Sequence, residues 1–263
     1  MSALSGQSLT VRYGARVAVR GVSLTLPVRS LTALVGPNGS GKSTVLKALA
    51  RLLKPAAGAV LLDGRAIAQL PTREVARRLG ILPQAPVAPA GLTVRELVEQ
   101  GRFPHLGLLR LPRAHDEAAI RDALAVTGLT DFADRPLETL SGGERQRAWI
   151  ALVLAQTTPV LLLDEPTTFL DIGHQLEVLE LVRRLPKERG MTVAVVLHDL
   201  NHAARFADHL VVMAHGDVVA AGPPQEVVTR DLLARVFRVR VHLLEDPVSG
   251  RPAFLPIETV DAD

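Results

Sequence analysis

Apolar residues recur along the chain in two different rhythms. Leu31-Thr32-Ala33-Leu34-Val35, Val160-Leu161-Leu162-Leu163 and Thr192–Leu197 are short runs with almost no polar interruption. Such runs predict strands buried on both faces, as in a parallel sheet covered by helices. Near the N-terminus, Leu9–Val11, Ala15–Val19 and Val22–Leu26 read as antiparallel strands, with Ala59–Leu62 as another. Helical periodicity covers Ser43–Leu53, Glu117–Gly128, Arg145–Ala155, His174–Leu185, Leu200–Ala207 and Glu226–Val236, and Leu210–His215 returns to a strand pattern. Strands and helices alternate before residue 85 and after residue 157. Between them, Pro86, Pro89, Pro104 and Pro112 break the pattern and helices follow. The predicted fold is α/β, a mainly parallel core sheet with an antiparallel β region and a helical subdomain.

The turn after the first buried run is Gly36-Pro37-Asn38-Gly39-Ser40-Gly41-Lys42-Ser43-Thr44, and it opens a helix. Strand, glycine-rich turn and helix in this order are the context that a phosphate-binding loop requires. Glycines let backbone N–H groups curl round an anion, and the helix N-terminus adds the positive end of its dipole. Lys42 is placed to reach β- and γ-phosphates and Ser43 to ligate Mg²⁺. A plain glycine turn before a helix gives no reason for Lys-Ser after the last glycine.

The run Val160–Leu163 ends in Asp164-Glu165-Pro166. Ligands of open parallel sheets bind at the carboxyl ends of strands. Asp164 is therefore expected near the phosphates, holding Mg²⁺, and Glu165 one residue further out, polarising an attacking water; the bland alternative is a solvated strand end. Leu140-Ser141-Gly142-Gly143-Glu144 opens the helix Arg145–Ala155. Ser141 and Glu144 have the spacing of a capping box, which needs no function. Two glycines in a first helical turn each cost about 1 kcal/mol against alanine, which makes sense where a phosphate must approach the bare backbone.

Taken together, these motifs resemble the ATP-binding cassette family, the nucleotide-hydrolysing subunits of ABC transporters, over nearly the whole chain. The resemblance implies the ABC ATPase fold, ATP and Mg²⁺ as cofactors, and two copies clamping ATP between residues 36–44 of one and Ser141, Gly142 and Gly143 of the other. It implies that Tyr13 stacks on adenine, that Gln84 senses Mg²⁺ beside the membrane partner, that Asp171 in Phe169-Leu170-Asp171 belongs to the loop linking the two sites, and that His198 contacts the γ-phosphate. Without it, Tyr13 is a strand aromatic, Gln84 a polar loop residue and His198 a strand-end histidine. Phe169 departs from the small residue that many relatives carry, and Glu144 from the frequent Gln. Gly101–His105, Arg145–Gln156 and Pro166–Ile172 are similar to the ATPases of ferric-siderophore importers, close neighbours of those for haem, cobalamin and other metal complexes. The implied partners are a second copy, polytopic permease subunits and, indirectly, a substrate-binding protein, with the chain peripheral on the cytoplasmic face of the inner membrane. The expected organisation is a single domain: a nucleotide-binding core, 1–84 with 158–236; a helical subdomain, 85–157, docking the permease with Ala85 and Arg102 on that face; and a tail, 237–263, without a chemical motif. A soluble cassette ATPase acting on DNA or ribosomes is the contrasting class. It usually carries two cassettes or a long coiled coil, and this chain has one cassette and no long heptad run.

Composition narrows the picture little further. At 263 residues and 48% apolar, the chain is long enough for a large core, and with 3% aromatic residues that core is mostly Leu, Val and Ala. The net charge of +3, carried by 26 Arg and four Lys without an aromatic-laced cluster, gives no argument for nucleic acid. Absence of cysteine excludes disulfides and thiolate metal sites. The longest apolar run, Ala148–Ala155, is far short of the ~20 residues of a membrane helix, and no signal-peptide core opens the sequence. A soluble protein reaching the membrane through partners is expected.

Overall fold

The computed structural model describes residues 3–106 and 114–260; Pro112 lies outside the described residues. The chain divides into two compact units, residues 1–68 with 192–263, and residues 69–191.

In the first unit, β1 (Leu4–Tyr13) pairs antiparallel with β2 (Arg16–Leu26). The expected strands Ala15–Val19 and Val22–Leu26 form one continuous strand. Gly21 absorbs an extra residue in the left-handed region (φ 66°), and its N–H is held by Thr10 Oγ1 at 3.1 Å. The buried run is β3 (Leu31–Val35), all five residues inaccessible, and it leads into α1 (Lys42–Leu49). This helix stops short of the expected Leu53: Arg51 turns left-handed (φ 61°) and the N–H groups of Leu52 and Leu53 fold back on the Lys47 carbonyl. The strand β4 (Ala57–Leu62) pairs with the other edge of β1, and β5 (Arg65–Ala66) follows it.

The second unit opens with α2 (Thr72–Ala76). Its strands β6 (Leu79–Leu82) and β7 (Val160–Asp164) pair in parallel with Leu82 opposite Leu163. Between them in sequence run α3 (Val94–Glu99), α4 (Ala114–Val126) and α5 (Gly142–Ala155), and after them α6 (Ile172–Arg189). The helices α3, α4 and α6 all pack on α5, which buries Ala148, Ile150, Ala151 and Val153. Apolar burial of this kind, not helix propensity, is what fixes short helices.

Arg102 was expected to face outward, and it does not. Its side chain is 4% exposed and paired at 2.8 Å with Asp116, itself 1% exposed. It also donates to the Ala155 carbonyl at 2.6 Å and to Thr157 Oγ1 at 3.0 Å. A buried guanidinium needs such partners, and its fork of donors can satisfy several at once. The neighbouring Phe103, 63% exposed, takes the outward position.

The chain returns to the first unit with β8 (Thr192–Val196), α7 (Leu200–Phe206), β9 (His209–Ala214) and β10 (Asp217–Gly222). Here β3 lies between β8 and β9, parallel to both, with β10 antiparallel outside β9. Unbroken apolar runs have thus become mainly parallel, fully covered strands, as the pattern predicts. The expected helix Glu226–Val236 is broken into α8 (Pro224–Val227) and α9 (Arg230–Leu232), continuing as a π turn through Phe237. Thr229 interrupts it because its hydroxyl caps the Leu232 N–H at 3.2 Å. The tail folds as a hairpin of β11 (Val239–Glu245) and β12 (Pro252–Thr259). The Asn201 side-chain amide clips it to α7 by bonding both the N–H and the carbonyl of Phe254.

Candidate nucleotide-binding site

The first unit holds an anion cradle. Leaving β3, the chain takes left-handed or nearby conformations at Gly36 (φ 147°), Gly39 (φ 76°) and Gly41 (φ 103°) before entering α1. At Gly36 a Cβ would stand 2.0 Å from the Met213 carbonyl oxygen, so packing as well as φ demands glycine. Gly41 is the N-cap of α1 and brings no side chain to cap it, so the N-terminal N–H groups of α1 meet no capping oxygen from the cap residue itself. Lys42 is 5% exposed and curls over the loop, donating to the Gly36 carbonyl at 2.8 Å and the Pro37 carbonyl at 3.0 Å. Ser40 is 3% exposed, and its hydroxyl has no partner among the described residues. Tyr13, at the end of β1, is half exposed, with its hydroxyl 3.5 Å from Thr44 Oγ1. Because β3 and β8 run parallel with Leu34 opposite Val196, the turn holding exposed His198 leaves the sheet at the same edge as the loop. Tyr13, Gly36–Thr44 and His198 are thus gathered at one end of this unit.

The second unit holds the acids Asp164 and Glu165. Asp164 closes β7 and is 1% exposed. Glu165 follows in the left-handed region (φ 56°), a strained conformation for a residue with a side chain. Parallel pairing of β6 and β7 carries Gln84 alongside it, and Gln84 Nε2 donates to Glu165 Oε2 at 2.6 Å. Thr168 Oγ1 reaches the same oxygen at 3.2 Å. Sequence reasoning gave Thr168 no role; its position three residues after Glu165 in a tight turn was the available signal.

In the same unit Ser141 caps α5. Its hydroxyl accepts the Glu144 N–H at 3.2 Å, and Glu144 Oε2 accepts the Ser141 N–H at 2.7 Å. That hydrogen bond holds the Glu144 carboxyl below its ordinary range. The capping box exists, and it leaves Gly142 exposed to solvent. Gly143 is different: it is buried under the ring of His174. Asp171 caps α6, its carboxylate accepting the His174 N–H at 2.9 Å and lying 2.9 Å from His174 Nδ1. These contacts, the backbone bond first, lower its pKa. Just before it, Phe169 is left-handed (φ 64°) and 99% exposed.

The profile of the ABC transporter family matches residues 19–168. This chain belongs to the ABC transporter ATP-binding family. It is 50% identical over 256 residues to a Bacillus subtilis (strain 168) protein named "Probable siderophore transport system ATP-binding protein YusV", covering 97% of this chain and 93% of that one. To the ferric enterobactin transport ATP-binding protein FepC of Escherichia coli (strain K12) it is 48% identical over 254 residues, covering 97% and 94%. Among solved structures, the dimeric bacterial ABC transporter cassette MJ0796 superposes with a TM-score of 0.73 at 30% identity, covering 84% of this chain and 98% of that one. The cassette described here is therefore an ATP-binding protein and an ATP hydrolase. None of its described helices is long and apolar enough to cross a membrane.

Proposed function

We propose that this cassette is the ATP-hydrolysing subunit of an importer for ferric siderophores. The observation that carries the reading is its near-full-length similarity to YusV and FepC, whose names specify siderophore and ferric enterobactin transport. In this reading two copies bind two ATP molecules head to tail, peripheral on the cytoplasmic face of the membrane, and drive polytopic permease subunits fed by a substrate-binding protein. The dimeric state of the MJ0796 cassette supports the pairing.

The residues fit ATP with Mg²⁺. A glycine-lined loop at a helix N-terminus with a lysine folded over it suits phosphates. Hydroxyl, amide and carboxylate oxygens from Ser43, Gln84 and Asp164 suit a hard cation, and Mg²⁺ would neutralise phosphate charge. Lys42 and His198 add positive or hydrogen-bonding groups to the phosphate chain, and Tyr13 offers its exposed face to adenine. Glu165 takes the proton of the attacking water, oriented by Gln84 and Thr168. Ser141, Gly142 and Gly143 present the N-terminus of α5 to ATP held by the other copy, beside the Asp171 loop.

The permease is assigned to the face after Gln84, within the helical subdomain 85–157. A groove of about 310 Å³ there is lined by Pro86, Val87, Pro89, Leu137 and Trp149, with Val87 89% exposed. Cysteines placed singly at Ala85 and Phe103 should cross-link to permease loops; cross-links confined to the β11–β12 tail would refute this assignment. The transport reading is tested by uptake of radio-iron as a hydroxamate or catecholate siderophore in cells lacking this gene. Uptake restored by the wild type and not by Lys42→Ala supports it. Uptake of haem or cobalamin restored in place of siderophore iron overturns it.

A further inference from the structure

Gly142 and Gly143 look equivalent in sequence, but the structure separates them. A Cβ on Gly142 would meet only Leu170 Cδ2, at an ordinary 3.6 Å. A Cβ on Gly143 would stand 2.1 Å from His174 Cδ2, 2.5 Å from Cγ and 2.9 Å from Nε2. The Cδ2 side of the imidazole therefore lies against the Gly143 backbone, at the second residue of α5, where any side chain would displace it. Close approach of a phosphate explains bare backbone at Gly142. It is not needed to explain Gly143.

The ring is also fixed from its other side. His174 is the third residue of α6, and its Nδ1 folds back to the carboxylate of the cap residue Asp171, 2.9 Å from each oxygen. Nδ1 must carry the proton in that contact, which leaves the opposite edge toward α5. The carboxylate draws the imidazole back toward the start of α6, and the imidazole meets α5 at a residue that has no side chain to yield. Asp171, His174 and Gly143 thus form a strut of successive contacts between the loop Phe169–Asp171 and the N-terminus of α5.

The geometry points to His174 as a positioning residue for ATP hydrolysis, and to Gly143 as the glycine that admits its ring. This inference rests on the proposed sandwich: the strut makes the α5 N-terminus, which grips ATP of the partner copy, follow the position of Asp171 in its own chain. His174 touches no substrate and acts through α5.

The test is a mutant cycle in the full chain, with ATP affinity, kcat and KM for hydrolysis, and thermal unfolding measured on each variant. Gly143→Ala is expected to lower kcat at least about tenfold, because the methyl must push the ring and with it Asp171 or α5, while ATP affinity of the isolated copy stays within about twofold. His174→Asn keeps a donor near Nδ1 for Asp171 but removes the ring edge. Gly143→Ala with His174→Asn should regain at least about fivefold in kcat over Gly143→Ala alone, a coupling expected only between groups in contact. His174→Leu, which keeps bulk but cannot bond Asp171, should lower kcat and not rescue. If the losses of Gly143→Ala and His174→Asn simply multiply, the strut is refuted and Gly143 is glycine for another reason. Equal loss of melting temperature in all variants, with kcat tracking it, refutes it too. Ser141→Arg separates the two levels. If it leaves ATP-dependent dimerisation unchanged, the sandwich fails; if it blocks dimerisation while the cycle is additive, only the role of His174 fails.

Discussion

Arg102→Ala should destabilise this cassette more than any surface change. Removing the guanidinium leaves Asp116, 1% exposed, without its buried cation, with only the exposed His115 ring near it, Nε2 at 3.4 Å. It also strips the Ala155 carbonyl and Thr157 hydroxyl of a donor each. Breaking a buried pair by deleting one partner costs about 3–5 kcal/mol, most of it the cost of the orphaned charge. For a chain of this size that corresponds to a fall in melting temperature of roughly 6–20 °C. If the orphaned charge is the cause, Arg102→Ala with Asp116→Ala should be better than the single change. What remains is the cavity and two weakened neutral acceptors, about 1–2 kcal/mol by the usual net worth of such bonds. Urea titration followed by the single tryptophan, Trp149 on α5, reads both variants directly. A loss under about 1 kcal/mol for Arg102→Ala would show the pair to be dispensable. A double variant no more stable than the single one would refute the charge argument, leaving packing as the cause.

Three further outcomes are expected. Lys42→Ala should weaken ATP binding in calorimetry and abolish phosphate release, since the ammonium both closes the loop on Gly36 and Pro37 and offers charge to the phosphates; wild-type turnover would end the assignment of the loop. Tyr13→Ala should weaken ATP and GTP alike, by about 1–3 kcal/mol, because a stacking ring reads a π-face and not a base edge; equal affinities in mutant and wild type would reduce Tyr13 to a strand residue. Burial lowers the pKa of His105 and of His209 from the ordinary 6.5. The unfolded chain then takes up protons that the folded one refuses, so stability is full above pH 6.5 and declines as the pH falls below it. Urea midpoints at pH 5.5 should lie below those at pH 7.5, and His105→Asn with His209→Gln should flatten the difference; an unchanged slope would refute it.

The parallel strands and the loop Gly36–Thr44 were legible because their signals are local: unbroken apolar runs, and glycines followed by Lys-Ser. The end of α1 was not, because Leu52-Leu53 continue the helical period while the left-handed Arg51 breaks the backbone. Arg102 misled for a different reason. A charged residue in a proline-broken segment reads as exposed unless its partner is known, and Asp116 is supplied by the start of α4. The contact of Gln84 with Glu165 depends on the register of β6 against β7, 81 residues apart in sequence. The packing of His174 on Gly143 likewise joins two helices whose motifs look independent. Sequence reports the chemistry available at each strand end and helix cap. Register and packing decide which of those groups meet.

The fate of Glu165 separates a binding site from a working one. Glu165→Gln should keep ATP bound and stall hydrolysis by about 10²–10⁴, the usual worth of a general base. The pocket should survive, since the new amide oxygen can still accept from Gln84 Nε2 and Thr168 Oγ1, as Oε2 does at 2.6 and 3.2 Å. With hydrolysis blocked, ATP stays pinned between the Lys42 face of one copy and Ser141 of the other, and light scattering should register an ATP-dependent dimer. Ser141→Arg in that background should dissolve it by filling the space before the α5 N-terminus. The change also removes the hydroxyl that caps the Glu144 N–H, costing about 1 kcal/mol of helix stability. Ser141→Ala is therefore the control: it loses the same cap without the bulk, and it should still dimerise. If Ser141→Arg and Ser141→Ala weaken the dimer equally, the cap accounts for the effect and Ser141 need not face ATP. If neither weakens it, the N-terminus of α5 is no part of the interface and the head-to-tail sandwich is wrong for this cassette.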